Sequence, residues 1–382
     1  MNCSAKTPLL KIYKMSLTKD QIQDEALQAI GNLNKAGVSV SMGVGKTLLG
    51  LKHMHKNYNE YSEFLVVAPK KAIFESWKND AENFGFEYLL DHIEFVTYLS
   101  LKKKSFDYDV VYLDECHSLK TNHNKWLSKY SSIGGKILGL TGTYPQRTWT
   151  EKGKMCQEHC PLVYEYSTDE AVSDNILNNY RIFVHKLYLN GMNDIPIKTN
   201  NSTFMTSEVK SYSYWHDRVS MADHNTKEMQ IASIGRMKAL QSFISKERYA
   251  KKLLDKANNK TIVFASTTAQ ADRLCTYSYH SKNKESKENL ELFKTDEILK
   301  LSTVEQLSEG VTIPNLKNGI IMHSYANNRK AAQKIGRLLR LNPNDTADIH
   351  ILCYMNTIDE RWVGLALKEF DDKKIRWIDP IL

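Results

Sequence analysis

The stretch Ser41-Met42-Gly43-Val44-Gly45-Lys46-Thr47 carries the strongest chemical signal in the chain. Its glycines let backbone N–H groups turn inward on phosphates, and a helix opening behind it adds partial positive charge. Lys46 is placed to reach the β- and γ-phosphates, and the Thr47 hydroxyl to hold Mg²⁺. The full phosphate-loop pattern wants glycine at position 40, where this chain has Val40. A second signal is Asp109-Val110-Val111-Tyr112-Leu113-Asp114-Glu115-Cys116-His117, which reads as a buried strand ending in two carboxylates. In nucleotide hydrolases the first such Asp holds the Mg²⁺ shell and the next Glu polarises the attacking water. Asp114 is therefore the expected metal ligand and Glu115 the expected base.

These residues need elements to hold them. Short apolar runs alternate with helix-like segments: Val38–Ser41, Phe64–Ala68, Ile93–Thr97, Val110–Leu113 and Ile137–Leu140, then Thr261–Ala265, Ile298–Leu301, Gly319–His323 and Ile349–Cys353. Such alternation predicts an α/β fold of parallel sheets covered by helices. The phosphate loop follows the first strand and opens a helix running from Leu48 to about Tyr58. Residues 190–225, rich in Asn, Ser, Thr and Met, show neither period and read as a linker or small insertion. Two α/β lobes are expected, 1–160 and 161–382.

Composition narrows the class. At 382 residues the chain is too long for one ordinary domain. Hydrophobic content of 42% and charged content of 25% allow real cores and exclude a wholly disordered chain. The apolar runs are strand-length, so no membrane-spanning helix is expected. The first residues show no apolar signal region, and the six irregularly spaced cysteines suggest no disulfide framework. A cytoplasmic protein is expected. The net charge of +8 permits a polyanionic partner. Cys156, His159 and Cys160 lack the paired spacing of a zinc site, so packed cysteines are the expectation there.

Taken together, the motifs resemble those of the superfamily 2 helicases, the DEAD/DEAH-box relatives. Asp114-Glu115-Cys116-His117 resembles motif II and the phosphate loop motif I. Val66-Val67-Ala68-Pro69-Lys70, with Trp77 following, resembles motif Ia, and Val96-Thr97-Tyr98 motif Ib. Leu140-Thr141-Gly142-Thr143-Tyr144-Pro145 resembles motif III with one inserted Tyr. Ile262-Val263-Phe264-Ala265 resembles motif IV, and Thr303 through Glu309-Gly310-Val311-Thr312-Ile313-Pro314 motif V. Gln333-Lys334-Ile335-Gly336-Arg337-Leu338-Leu339-Arg340 fits motif VI, Gln-x-x-Gly-Arg-x-x-Arg. The pattern, spanning about residues 17–365, is most similar to the Swi/Snf-like, restriction-subunit and phage branched-DNA helicase groups. Tyr164-Glu165-Tyr166 to Asn179-Tyr180 looks like the entry to the second lobe in those groups.

The resemblance implies two RecA-like lobes with ATP and Mg²⁺ in the cleft between them. Catalysis would fall to Lys46, Asp114 and Glu115 from one lobe and Arg337 and Arg340 from the other. Gln333 would join the nucleotide site, and either Gln21 or Gln23 would read adenine. His117, Thr141, Thr143 and Gly310 would couple nucleotide state to lobe contacts. Pro69, Lys70, Lys71, Thr97, Ser266 and Thr303 would touch the nucleic-acid backbone. Tyr212, Tyr214 and Trp215 could stack on bases, although clustered aromatics are more often core. The implied activity is that of an ATP-driven helicase or translocase, expected as a monomer, on single-stranded, forked or branched DNA in replication, recombination or repair. RNA, or a switch role with a protein partner, stays open. The minimal form suggests a phage or mobile-element source, hence a host cytoplasm.

Overall fold

The computed structural model describes residues 16–41, 43–145, 147–198, 202–224, 226–304, 313–323, 345–368 and 370–380. Its first sheet is six-stranded and wholly parallel, in the order β3-β2-β4-β5-β1-β6. The strands are β1 (Lys35–Val40), β2 (Phe64–Ala68), β3 (Ile93–Thr97), β4 (Val110–Asp114), β5 (Lys136–Thr141) and β6 (Leu162–Tyr166). β2 and β4 are buried along their whole length, as strands covered on both faces must be. Phe64, Val66, Ala68 and Tyr112 point into one cluster with helices α1 (Lys19–Ile30), α2 (Lys46–Lys56) and α3 (Ala72–Phe84). Leu65, Val67, Val111 and Leu113 point the other way, onto α4 (Thr121–Ser132) and α5 (Glu151–His159).

A short helix, α6 (Thr168–Ser173), leads to the second sheet, also parallel, in the order β11-β12-β10-β13-β14-β7-β15. Its strands are β7 (Asn179–Leu187), β10 (Thr261–Ala265), β11 (Ser278–Tyr279), β12 (Lys300–Val304), β13 (Asn318–Ile321), β14 (Thr346–Tyr354) and β15 (Ile375–Ile378). Helices α8 (Lys227–Ser242), α9 (Ile244–Lys256) and α10 (Thr268–Leu274) cover one face, with Leu240, Leu254 and Leu274 packed on Val263 and Leu352. Leu290 and Phe293 of α11 (Ser286–Lys294) and Val363 of α12 (Ile358–Ala366) pack with Ile262, Phe264 and Ile351 on the other.

One boundary is corrected. The first sheet ends at β6, so its last strand lies beyond residue 160. Gly37 permits this: it donates its N–H to Pro161 O at 2.7 Å, and a Cβ there would lie 2.2 Å from Cys160 O. Residues 190–225, expected as a linker or a small insertion, carry elements of their own. The described residues there hold an antiparallel strand pair, β8 (Ile195–Lys198) with β9 (Thr203–Thr206), and helix α7 (Glu208–Met221), which packs on α8. No helix among the described residues is long and apolar enough to cross a membrane.

Candidate ATP site at the first sheet's carboxyl edge

Every candidate site residue of the first lobe, the two glutamines apart, follows or ends a strand at the sheet's carboxyl edge, where open α/β sheets bind ligands. β1 runs into the phosphate loop. Gly43 and Gly45 take φ of 95° and 93°, a left-handed backbone that a side chain would strain. A Cβ on Gly45 would also lie 2.9 Å from the Gln23 amide nitrogen. α2 then opens at Lys46, so its first N–H groups face the loop.

The two glutamines separate here. Gln21 completes a capping box on α1, its Oε1 accepting from Thr18 N at 2.8 Å, and it is exposed. That side chain serves the helix end. Gln23 is buried and donates its amide to Val44 O in the loop at 2.7 Å. Its Oε1 is buried with no hydrogen-bond partner among the described residues, an acceptor available to an exocyclic amine.

Asp114 ends β4, fully buried among neutral donors. Its Oδ2 accepts from Trp77 Nε1 and its Oδ1 from Glu115 N, each at 2.9 Å. Tyr98 fixes the backbone by donating to Asp114 O at 3.0 Å. Burial, then the neighbouring Glu115 charge, push the Asp114 carboxyl up to about 6. A carboxylate so placed, with spare oxygen lone pairs, suits a hard divalent cation, and Thr47 adds a hydroxyl. By donor chemistry Asp114 and Thr47 would suit Mg²⁺.

Glu115 adopts a left-handed φ of 50°, which swings its side chain off the strand direction. Its Oε1 faces Lys46 Nζ at 3.8 Å. Its Oε2 lies 3.2 Å from His117 Nδ1 and accepts from Thr141 Oγ1 at 3.4 Å. Burial opposes the Glu115 charge, but Lys46 and His117 outweigh it and hold the carboxyl down to about 2. His117 Nδ1 and Thr141 Oγ1 are themselves 2.8 Å apart, and Thr143 N donates to Thr141 Oγ1 at 3.1 Å. Motifs I, II and III thus meet in one cluster, motif I through the Lys46–Glu115 ion pair and motifs II and III through hydrogen bonds.

Pro69, Lys70, Lys71 and Thr97 follow or end β2 and β3 on the same edge, with both lysines exposed. Ser266 follows β10 in the second lobe, its N–H donating to Gln270 Oε1 at 3.1 Å. Thr303 is a correction: it is fully buried and donates its hydroxyl to Tyr279 O at 3.1 Å, so no backbone phosphate can reach it. Tyr212 and Trp215 are core, the one bonded to Ile358 N and the other packed over Gly235, whereas Tyr214 is exposed beside Arg218. Met42, Gly310, Gln333, Arg337 and Arg340 lie outside the described residues. Sequence reasoning missed Trp77 and Tyr98 as holders of Asp114. Their hydrogen-bonding tips were visible, but their placement beside the end of β4 was not.

Known proteins agree with this engine. Residues 245–342 match the family model described as helicase conserved C-terminal domain, and residues 14–104 match type III restriction enzyme, res subunit. A DNA 3'-5' translocase, XPB2, of Sulfurisphaera tokodaii is 24% identical over 372 residues, covering 88% of this chain and 83% of that protein. A fragment assigned as an HsdR subunit of a type I restriction enzyme from Vibrio vulnificus YJ016 has a TM-score of 0.61 at 18% identity, covering 94% of this chain and 68% of that one. Dbp5 of S. cerevisiae, bound to RNA and ADP BeF3, has a TM-score of 0.57 at 12% identity, covering 97% and 91%. The two parallel sheets share the RecA-like fold of these helicase structures. The two family models and the Sulfurisphaera relative support a superfamily 2 helicase or translocase, a class that couples ATP hydrolysis to movement on nucleic acid.

Proposed function

We propose that the chain is an ATP-dependent DNA helicase or translocase that moves along or remodels forked or branched DNA in replication, recombination or repair. The observation that carries the motor reading is the Lys46–Glu115–His117–Thr141 cluster, in which an ion pair joins the phosphate loop to the acidic box and hydrogen bonds join the acidic box to motif III. The DNA part is supported by the Sulfurisphaera relative, whose name gives DNA as its track.

In this mechanism the glycine loop and Lys46 bind and orient the β- and γ-phosphates. Thr47 and Asp114 would hold Mg²⁺, which would supply neutralisation of phosphate charge. Glu115 orients the attacking water and accepts its proton. That proton transfer weakens the pull of Glu115 on His117 and Thr141, and the change reaches the edge loops through Thr143. Gln23 receives the adenine amine. Arg337 and Arg340, with Gln333, come from the second lobe and stabilise transition-state charge, so hydrolysis requires closure. Lys70 and Lys71, with Pro69, Thr97 and Ser266, hold the backbone without reading bases.

The test is ATPase activity and strand separation on single-stranded, blunt, forked and four-way DNA, with matched RNA controls. Forked or four-way DNA is expected to stimulate most. Preference for RNA would replace DNA as the track, and indifference to every nucleic acid would leave a protein-controlled switch.

A further inference from the structure

Three sulfurs meet behind the acidic box. The Sγ atoms of Cys116, Cys156 and Cys160 all lie within 4.8 Å of one another. Cys116 follows Glu115 on the 3-10 turn that carries His117. Cys156 sits one helical turn before Cys160, at the end of α5, so both face the same side. All three are fully buried free thiols. Gly139 of β5 forms the floor: a Cβ there would lie 2.6 and 2.8 Å from Cys160 Cβ and Sγ, and 3.1 Å from Cys116 Cβ. The absent side chain leaves the trio its space. A carbonyl oxygen, Cys116 O, lies 3.5 Å from Cys156 Sγ. His159, the other metal-type residue of the segment, turns its Nε2 to Asn124 Oδ1 at 2.6 Å.

We propose that Cys116, Cys156 and Cys160 form a binding site for one soft divalent metal ion, zinc or cadmium, that ties the acidic-box turn to α5. A tetrahedral zinc with bonds of ~2.3 Å holds its sulfurs roughly 3.8 Å apart, so the thiols need close by about an ångström at most. The carbonyl of Cys116 is at hand as an oxygen neighbour. On binding, two or three thiol protons leave to solvent. Two thiolates with one thiol make the centre neutral, and three thiolates leave one negative charge. The site lies apart from the Mg²⁺ pair by chemistry: sulfur selects soft ions, whereas the Asp114 and Thr47 oxygens select hard ones. Its position gives it a role, because the turn it would hold carries Glu115 and His117.

The probe is Cd²⁺, whose thiolate complexes absorb in the ultraviolet, added to the reduced full chain both as folded protein and during refolding. One Cd²⁺ per chain with sulfur-to-metal absorption is expected. Cys156→Ser and Cys160→Ser are each expected to weaken binding at least tenfold, while Cys275→Ser and Cys353→Ser leave it unchanged. Absence of the absorption from the unaltered chain in both arms would overturn the proposal, whatever the variants do. So would an unchanged absorption in folded Cys156→Ser and Cys160→Ser. Folding of each variant is checked by circular dichroism, and Cys116→Ala replaces any serine variant that fails.

Discussion

The ammonium of Lys46 faces the Glu115 carboxylate across 3.8 Å, so the proposed phosphate-binding cation and the proposed base compensate one another's charge. A γ-phosphate entering the loop would draw Lys46 towards itself and free Glu115 for water. Lys46→Ala is expected to abolish ATP turnover, and Glu115→Gln to retain ATP binding while turnover falls about 10²-fold or more, in line with the usual worth of a general base. Steady-state ATPase with an independent nucleotide-binding assay separates the two.

Gln23 and Gln21 should differ sharply. Gln23 touches the loop backbone and keeps a buried acceptor open, while Gln21 serves the cap of α1. Gln23→Ala is expected to raise the KM for ATP about tenfold, as loss of one well-made hydrogen bond does, and to narrow its preference over GTP. Gln21→Ala should leave both unchanged. Parallel titrations with ATP and GTP check this.

The Trp77 indole opposes the rise that burial imposes on Asp114. Burial first, then the Glu115 charge, raise that carboxyl, the Trp77 hydrogen bond lowers it, and the balance lies at about 6. Removing the donor in Trp77→Phe pushes that value higher, so the protonated fraction grows as pH falls. The Mg²⁺ concentration for half-maximal ATPase is expected to rise, and to rise more at about pH 6 than at about pH 8. An equal Mg²⁺ requirement at both pH values would remove Trp77 from this role.

Thr141 joins the base to the edge loops through His117 and Thr143. Thr141→Val keeps the shape and deletes the hydroxyl. Stimulation of ATPase by nucleic acid is expected to drop several-fold, while nucleotide affinity stays near normal. The ratio of stimulated to basal rate is the readout.

Two buried histidines should make the fold acid-sensitive. His53 bonds Tyr112 OH at 2.8 Å, and His185 bonds Tyr249 OH and His350 at 2.9 Å each. Burial first, then nearby lysines for His53 and His350 for His185, hold each at about 4, below the ordinary 6.5. The unfolded chain takes up these protons more readily. Stability is therefore full above about pH 6.5 and falls as pH drops towards 4, by up to about 3 kcal/mol per histidine. Asp114 is shifted the other way and offsets part of this between its ordinary value and about 6. Urea midpoints against pH, with His53→Gln giving a shallower slope, check the sign.

Much of the engine was legible because its residues are contiguous. The phosphate loop and acidic box each sit in one short run, and the buried strands β2 and β4 announce themselves as unbroken apolar segments. β6 was not legible: Leu162–Tyr166 carries a Glu and two Tyr, and its strand partner β1 lies more than a hundred residues away. β15, an edge strand with Arg376 and Trp377 outward, has no core pattern to betray it. Cys116 belongs with Cys156 and Cys160 only because β4 and α5 end side by side, which spacing cannot express. Thr303 was misassigned because a motif position says nothing about which face of its strand is buried.

The account's central claim is ATP-driven movement on a nucleic-acid track. Displacement of a triplex-forming strand from duplex DNA, carried past a free single-stranded or duplex approach, reads that movement without requiring strand separation. Displacement with ATP, none with a non-hydrolysable analogue and none by Glu115→Gln is the expected result. Nucleic-acid-stimulated hydrolysis with no displacement from any DNA or RNA track would contradict it.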